Sequence, residues 1–301
     1  MTLLKPTATC CRIINEMRFT IGLFILLLSS FFIGCKPASS SPQSGSASTA
    51  PPTLKPSTPN SQPSSWWHPA VGLTWQWQIG DNDIDTSIEA DVYDIDLYVD
   101  QSIIEELHAK GRKVICYISV GSWEDWRPDA ALFPAEVLGK DYDGWPGEKW
   151  LDIRQVDKLA PIMLARLDLC KAKGFDAVEP DNLEGYTNDT GFPLTYSDQL
   201  KYALWLADES HKRGLAIGVK NALDQVKDLI EHFDFAIIED AFYDGWAEAM
   251  KPFIEAGKPV FAAEYTDLDG DFHSFCQNSQ ALKFNTILKN RDLDAWIQTC
   301  E

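Results

Sequence analysis

One arrangement recurs along this chain and limits its fold more than any other feature. An amphipathic helical stretch ends at a glycine, and a short apolar run follows at once. Stretch 102–110 closes at Gly111 before the run 113–120. Stretch 156–173 closes at Gly174 before 175–180, and 196–213 closes at Gly214 before 215–219. Stretch 247–256 closes at Gly257 before 259–264. Glycine just past a helix supplies the left-handed turn that ends it. Runs 73–79, 92–97, 233–239 and 285–288 read as further strands, and 222–232 as a further helix. Helix, glycine and buried strand in repetition mark parallel βαβ units. Eight strands in about 235 residues fit a single (β/α)8 barrel, the TIM-barrel form of the α/β class. An open doubly wound sheet is the competitor, and it usually carries a glycine-rich phosphate loop after its first strand. Here that strand ends Gln78-Ile79-Gly80-Asp81, with no such loop and no cofactor motif.

The first 65 residues do not share this pattern. Lys5, Arg12 and Arg18 precede an apolar run at 19–33, which is short for a membrane span and fits a secretory signal. The run ends Phe32-Ile33-Gly34-Cys35, which resembles a bacterial lipobox. That resemblance implies removal of residues 1–34 and lipidation of Cys35. The protein is then expected at the cell envelope, on the outer membrane or surface, with an uncleaved anchor or free secretion as alternatives. Residues 35–65, rich in Ser, Pro and Thr, form a linker too poor in apolar side chains to fold, so the domain spans 66–301.

Export permits disulfides. Cys276 and Cys300 flank a short C-terminal segment, and a bridge between them would pin the chain end. Cys116, in a strand, and Cys170, in a helix, read as buried small apolar residues. The five histidines are scattered without ligand spacing, so no metal site is expected. The formal charge is −19, and loss of residues 1–34 brings it to about −21. Such a chain repels nucleic acid and anionic lipid and favours a cationic or neutral partner.

Barrel chemistry sits at the carboxyl ends of the strands. Those ends carry Asp94 and Asp96, Tyr117 and Ser119, Glu179 and Asp181, Lys220 and Asn221, Glu239 and Asp240, and Glu264 and Tyr265. Unpaired buried carboxylates are costly, so so many on one rim imply an acidic cleft; salt bridges to Lys220, Arg127 and Arg154 are the structural alternative. Two carboxylates facing one bond suffice to hydrolyse a glycoside. Tryptophans crowd the first half of the domain, among them Trp75, Trp77, Trp126 and Trp145. Indole faces stack on sugars, although several of these rings serve packing instead.

Six motifs, in order, resemble glycoside hydrolase family 114. They are Val-Ile-Cys-Tyr-Ile-Ser-Val-Gly-Ser at 114–122, Glu-Asp-Trp-Arg-Pro-Asp at 124–129, Gly-Trp-Pro-Gly-Glu-Lys-Trp-Leu-Asp at 144–152, Gly-Phe-Asp-Ala-Val-Glu-Pro-Asp-Asn at 174–182, Gly-Val-Lys-Asn at 218–221 and Pro-Val-Phe-Ala-Ala-Glu-Tyr at 259–265. The resemblance implies a (β/α)8 endo-α-1,4-polygalactosaminidase acting on galactosamine-containing polysaccharide, with retention of configuration. It places the catalytic acids at Asp181 and Glu239. Asp96, Tyr117, Lys220, Asn221, Glu264 and Tyr265 would line the cleft, with Trp75 as an aromatic contact. Two departures stand out: Glu179 replaces the family's frequent Asp, and the cysteines usual after the sixth-strand Glu are absent around Asp240–Gly245. A non-catalytic sugar-binding lipoprotein, a metal-dependent deacetylase and an α-glycosidase of other specificity are the rival readings.

Overall fold

A computed structural model describes residues 66–80 and 83–300. The expected signal, Cys35 and the linker lie outside the described residues. The main sheet holds nine strands. They are β1 (Trp75–Gln78), β2 (Val92–Asp96), β3 (Lys113–Ser119), β7 (Ala177–Asp181), β8 (Ala216–Lys220), β9 (Phe235–Glu239), β10 (Val260–Tyr265), β11 (Asn285–Lys289) and β12 (Ile297–Thr299). The first eight of these pair parallel in chain order, and β12 adds antiparallel to β11. The sheet curls into a nearly closed barrel. Side chains bridge the seam: Trp75 Nε1 donates to the Asn285 carbonyl (3.1 Å), Gln76 Nε2 to the Ala295 carbonyl (2.9 Å) and Lys289 Nζ to Gln76 Oε1 (3.1 Å).

Strand alternation divides the core in two. One set of residues, including Trp75, Trp77, Ile115, Ala177, Ala216, Ile237, Phe261 and Ala263, packs together inside the barrel. Their strand neighbours Tyr93, Ile95, Val114, Cys116, Val178, Ile217, Ile238 and Ala262 pack outward against the helices. A period of two permits this, because successive side chains leave a strand on opposite faces. Inside, a Cβ on Gly218 would collide with the Phe235 ring, so the glycine makes room for that ring.

The helices are α1 (Gln101–Ala109), α2 (Val156–Lys173), α3 (Tyr196–Lys212), α4 (Val226–Leu229), α5 (Lys251–Glu255) and α6 (Phe272–Leu282). Gly111, Gly174, Gly214 and Gly257 all take positive φ, as closers of helices should. Thr195 and Asp198 form a capping box that starts α3. One expectation changes, and two features go beyond what the sequence announced. The helix expected over 222–232 shrinks to a 3₁₀ turn at Leu223–Gln225 and the single turn of α4, because Ala222 is left-handed (φ 45°) and outside helical space. Helix α6 carried no glycine stop; Lys283 closes it in the left-handed conformation instead. Cys116 and Cys170 are buried as expected, and they also pair, which the sequence left open: their disulfide ties β3 to α2, with Cα atoms 6.1 Å apart. Both face the layer between sheet and helices, within the span a disulfide bridges. Cys276 and Cys300 are also joined, Cα atoms 5.3 Å apart.

Between β3 and α2 the chain builds a second, antiparallel sheet from β4 (Ser122–Glu124), β5 (Leu138–Asp141) and β6 (Glu148–Leu151). This excursion rises beside the carboxyl ends of the barrel strands.

Candidate active site

Parallel register stacks the polar strand ends in layers. Tyr117 lies beside both Asp96 and Glu179, and Ser119 lies beside Asp181. At the centre is Lys220, 1% exposed. Its ammonium donates to Glu179 Oε1 (2.9 Å) and Asp181 Oδ1 (3.0 Å), and it pairs with Glu239 Oε2 (3.0 Å). Two of its donors are thus hydrogen-bonded, and the third partner is held as an ion pair. The Trp77 ring centroid lies 4.8 Å from the same nitrogen. Burial alone would depress the lysine; Asp181, Glu179 and Glu239 outweigh it and hold the ammonium well above the ordinary range.

Phenols hold the far oxygens of the two outer carboxylates. Tyr117 donates to Asp181 Oδ2 (2.9 Å), and Tyr265 donates to Glu239 Oε1. Burial and the facing carboxylates raise both phenols well above the usual tyrosine range, so both remain donors. The Asn182 amide donates to Asp181 Oδ1 (2.9 Å), and the Glu239 amide donates to Asn221 Oδ1 (3.0 Å). Asn182, Asn221 and Asp240, which directly follow β7, β8 and β9, all have positive φ. Such backbone costs energy and concentrates where side chains must be aimed. Each of these two oxygens is 3.0 Å from the same nitrogen, so the nearer oxygens of Asp181 and Glu239 stand no more than about 6 Å apart.

Deeper lies a pair of acids. Asp94 is fully buried, and among the described residues neither of its oxygens meets an N–H or O–H donor; Glu179 Oε2 also lacks one there. The two carboxyls face each other, and one shared proton satisfies both. Burial, then the charge of Glu179, raises Asp94 well above the carboxylate range; burial pushes Glu179 up to about 7 against the pull of Lys220. Asp94 is therefore the neutral partner, donating to Glu179.

The cleft above has a volume of about 960 Å³. Nine acidic side chains line it against three cations, Arg127, Lys220 and Arg291. The cations are already engaged: Arg127 binds Asp96 (2.5 Å) and Glu124 (2.7 Å), and Arg291 binds Asp240 (2.9 Å) and Asp267 (3.0 Å). Arg154 pairs with Asp152, outside the cleft lining. The excursion contributes Glu124, Trp126, Tyr142, Trp145 and Glu148, with the rings of Trp126 and Trp145 half exposed.

Of the residues singled out from sequence, Asp96, Tyr117, Asp181, Lys220, Asn221, Glu239 and Tyr265 converge on this cleft. Trp75 and Glu264 do not. Trp75 lies two residues below Trp77, stacked on it and tilted against Phe261 in the barrel interior. Glu264 falls between inward-facing Ala263 and Tyr265, so it points away from the lumen. It accepts from the Phe242 and Tyr243 amides (2.9 and 3.2 Å) and braces the loop after β9. Sequence reasoning overlooked Glu184, Tyr142 and Glu148. Glu184 stands only three residues beyond Asp181, a spacing that was readable; the other two sit in an excursion with no periodicity to orient them.

An acidic, aromatic-rimmed cleft at the carboxyl end of a (β/α)8 barrel is the layout of a glycoside hydrolase. The chain belongs to glycoside-hydrolase family GH114, whose model matches residues 56–301. It is 40% identical to Aspergillus fumigatus Ega3, solved in complex with galactosamine, with a TM-score of 0.74 over 78% of this chain and 97% of that one. The glycoside hydrolase domain of PelA from Pseudomonas aeruginosa shares the fold at 12% identity and a TM-score of 0.61, over 76% of this chain and 99% of that one. An uncharacterized protein of Deinococcus radiodurans is 27% identical over 307 residues, covering 90% of this chain and 98% of its own.

Proposed function

We propose that this glycoside hydrolase cleaves α-1,4 linkages within galactosamine-containing polysaccharide, with Asp181 and Glu239 as the reacting pair. The observation that carries the reading is the meeting of these two carboxylates on one ammonium. Carboxylates whose nearer oxygens lie within about 6 Å suit a retaining mechanism, in which one carboxylate attacks the anomeric carbon and the other protonates the leaving oxygen; an inverting pair stands further apart to admit water. Lys220 and the two tyrosines orient both groups. The substrate class draws support from the sequence motifs, from the galactosamine bound to Ega3, and from the charge of the cleft. Amino sugars are cationic near neutral pH, and an acidic cleft concentrates a cationic polymer.

The test is substitution at both acids. Asp181→Asn and Glu239→Gln are each expected to lower kcat on partly deacetylated galactosaminan by roughly 10²–10⁴-fold while polymer binding persists. Undiminished cleavage by either variant removes that residue from the mechanism. Mass spectrometry of the products from wild type distinguishes internal from terminal cleavage.

A further inference from the structure

Glu184 is the cleft acid that the proposed chemistry leaves without a task. It follows β7 by three residues and lines the cleft. Its Oε2 is sealed from solvent and meets no donor among the described residues. The charges of Asp181, Lys220 and Glu239 bear on it from β7, β8 and β9, and the Tyr142 hydroxyl hydrogen-bonds to its carboxyl from the excursion. Lys220 bonds Glu179 and Asp181 and pairs with Glu239, and it forms no ion pair with Glu184.

The other acids of the cleft wall are committed or wet. Asp96 and Glu124 hold Arg127, Asp240 holds Arg291, and Glu148 accepts from Ser122 Oγ (2.7 Å). Asp244 and Asp292 are exposed, where water screens them. A desolvated carboxyl beside two carboxylates fills its vacancy with a proton: burial, then Asp181, pushes Glu184 up to about 8. An arriving ammonium would replace that proton with a charge-assisted contact, whereas a neutral acetamido group would not.

We propose that Glu184 is the specificity-determining residue that reads the amino group of the sugar, accepting the ammonium of a deacetylated galactosamine unit and leaving an acetylated unit unrewarded. This inference rests on the galactosamine reading of the cleft and adds to it a residue and a selectivity.

The experiment compares wild type with Glu184→Gln on length-matched oligomers, one fully deacetylated and one fully N-acetylated. The expected result is a loss of about 10–100-fold in kcat/KM on the deacetylated oligomer and a change of less than about 3-fold on the acetylated one. Equal losses on both would mean a structural role, and no loss on either would mean no role; each overturns the proposal. A second measurement needs no variant. Calorimetry of wild type with galactosamine at about pH 7, in buffers of different ionisation enthalpy, should register release of a proton, and N-acetylgalactosamine should release none. Binding of galactosamine without proton release overturns the proposal even if Glu184→Gln fails to fold. Wild type inactive on both oligomers would count against the function proposed above, and calorimetry would still decide Glu184.

Discussion

Asp94 shows how much a single side chain depends on its company. In isolation it reads as one more rim acid. In the fold it is fully buried and faces Glu179, and only a proton lets the two coexist. Asp94→Asn replaces a donating carboxyl by a donating amide of the same shape. Activity is therefore expected to stay within about 5-fold of wild type, and infrared spectra at neutral pH should lose one protonated-carboxyl band. A variant retaining that band would show that Asp94 had been ionised all along. At the same scale, Glu264 read as a substrate contact because it lies in a family motif, and Trp75 because indole faces stack on sugars. The depth of one residue and the parity of the other put them elsewhere.

At the scale of elements, the site depends on close approach of the loops following β3 and β7. A Cβ on Gly121 would overlap the Asn182 carbonyl, and the Gly121 amide donates to the Asp181 carbonyl (3.3 Å). Gly121→Ala must push these loops apart. It is expected to cost about 2 kcal/mol or more in denaturant unfolding and to lower kcat with it, since Asn182 follows Asp181 directly. Wild-type stability in this variant would show that the loops yield freely. The repeated glycines made four helix ends legible, because a left-handed closing residue favours glycine strongly enough to leave a mark. Lys283 takes that conformation without the glycine, and so α6 left none. The Cys116–Cys170 bridge was hidden for a different reason. Whether two distant cysteines meet depends on the rotation of a helix over a strand, which neither segment encodes alone.

At the scale of the whole molecule, burial of acids makes stability depend on pH. Burial pushes Glu148 and Glu264 up to about 7 and Glu184 up to about 8. An unfolded chain ionises such groups near about pH 4.3. Each is thus protonated in the fold at pH values where the unfolded chain has released its proton. Its stabilising contribution is full below the unfolded value and is lost as pH climbs through the folded one. Self-repulsion of a chain with net charge −19 acts in the same direction. These groups are expected to lower Tm between about pH 5 and 8, with the fall levelling above about pH 8. Calorimetry across that range checks this, and a Tm that rises with pH would mean these carboxyls are ionised in the fold.

What the sequence determined unaided was the architecture and the location of its chemistry. Strand parity, glycine stops and polar strand ends are local signals, written within a few residues of where they act. From them, and from the motifs, came the eight parallel strands, the rim, and Asp181 and Glu239 as residues brought to one place. Tertiary structure alone decided that these two carboxylates share Lys220, that Asp94 and Glu179 share a proton, and that Glu184 Oε2 meets no donor among the described residues. Those are relations between strands far apart in the chain. Charge and desolvation act through space, and no local pattern carries their sum.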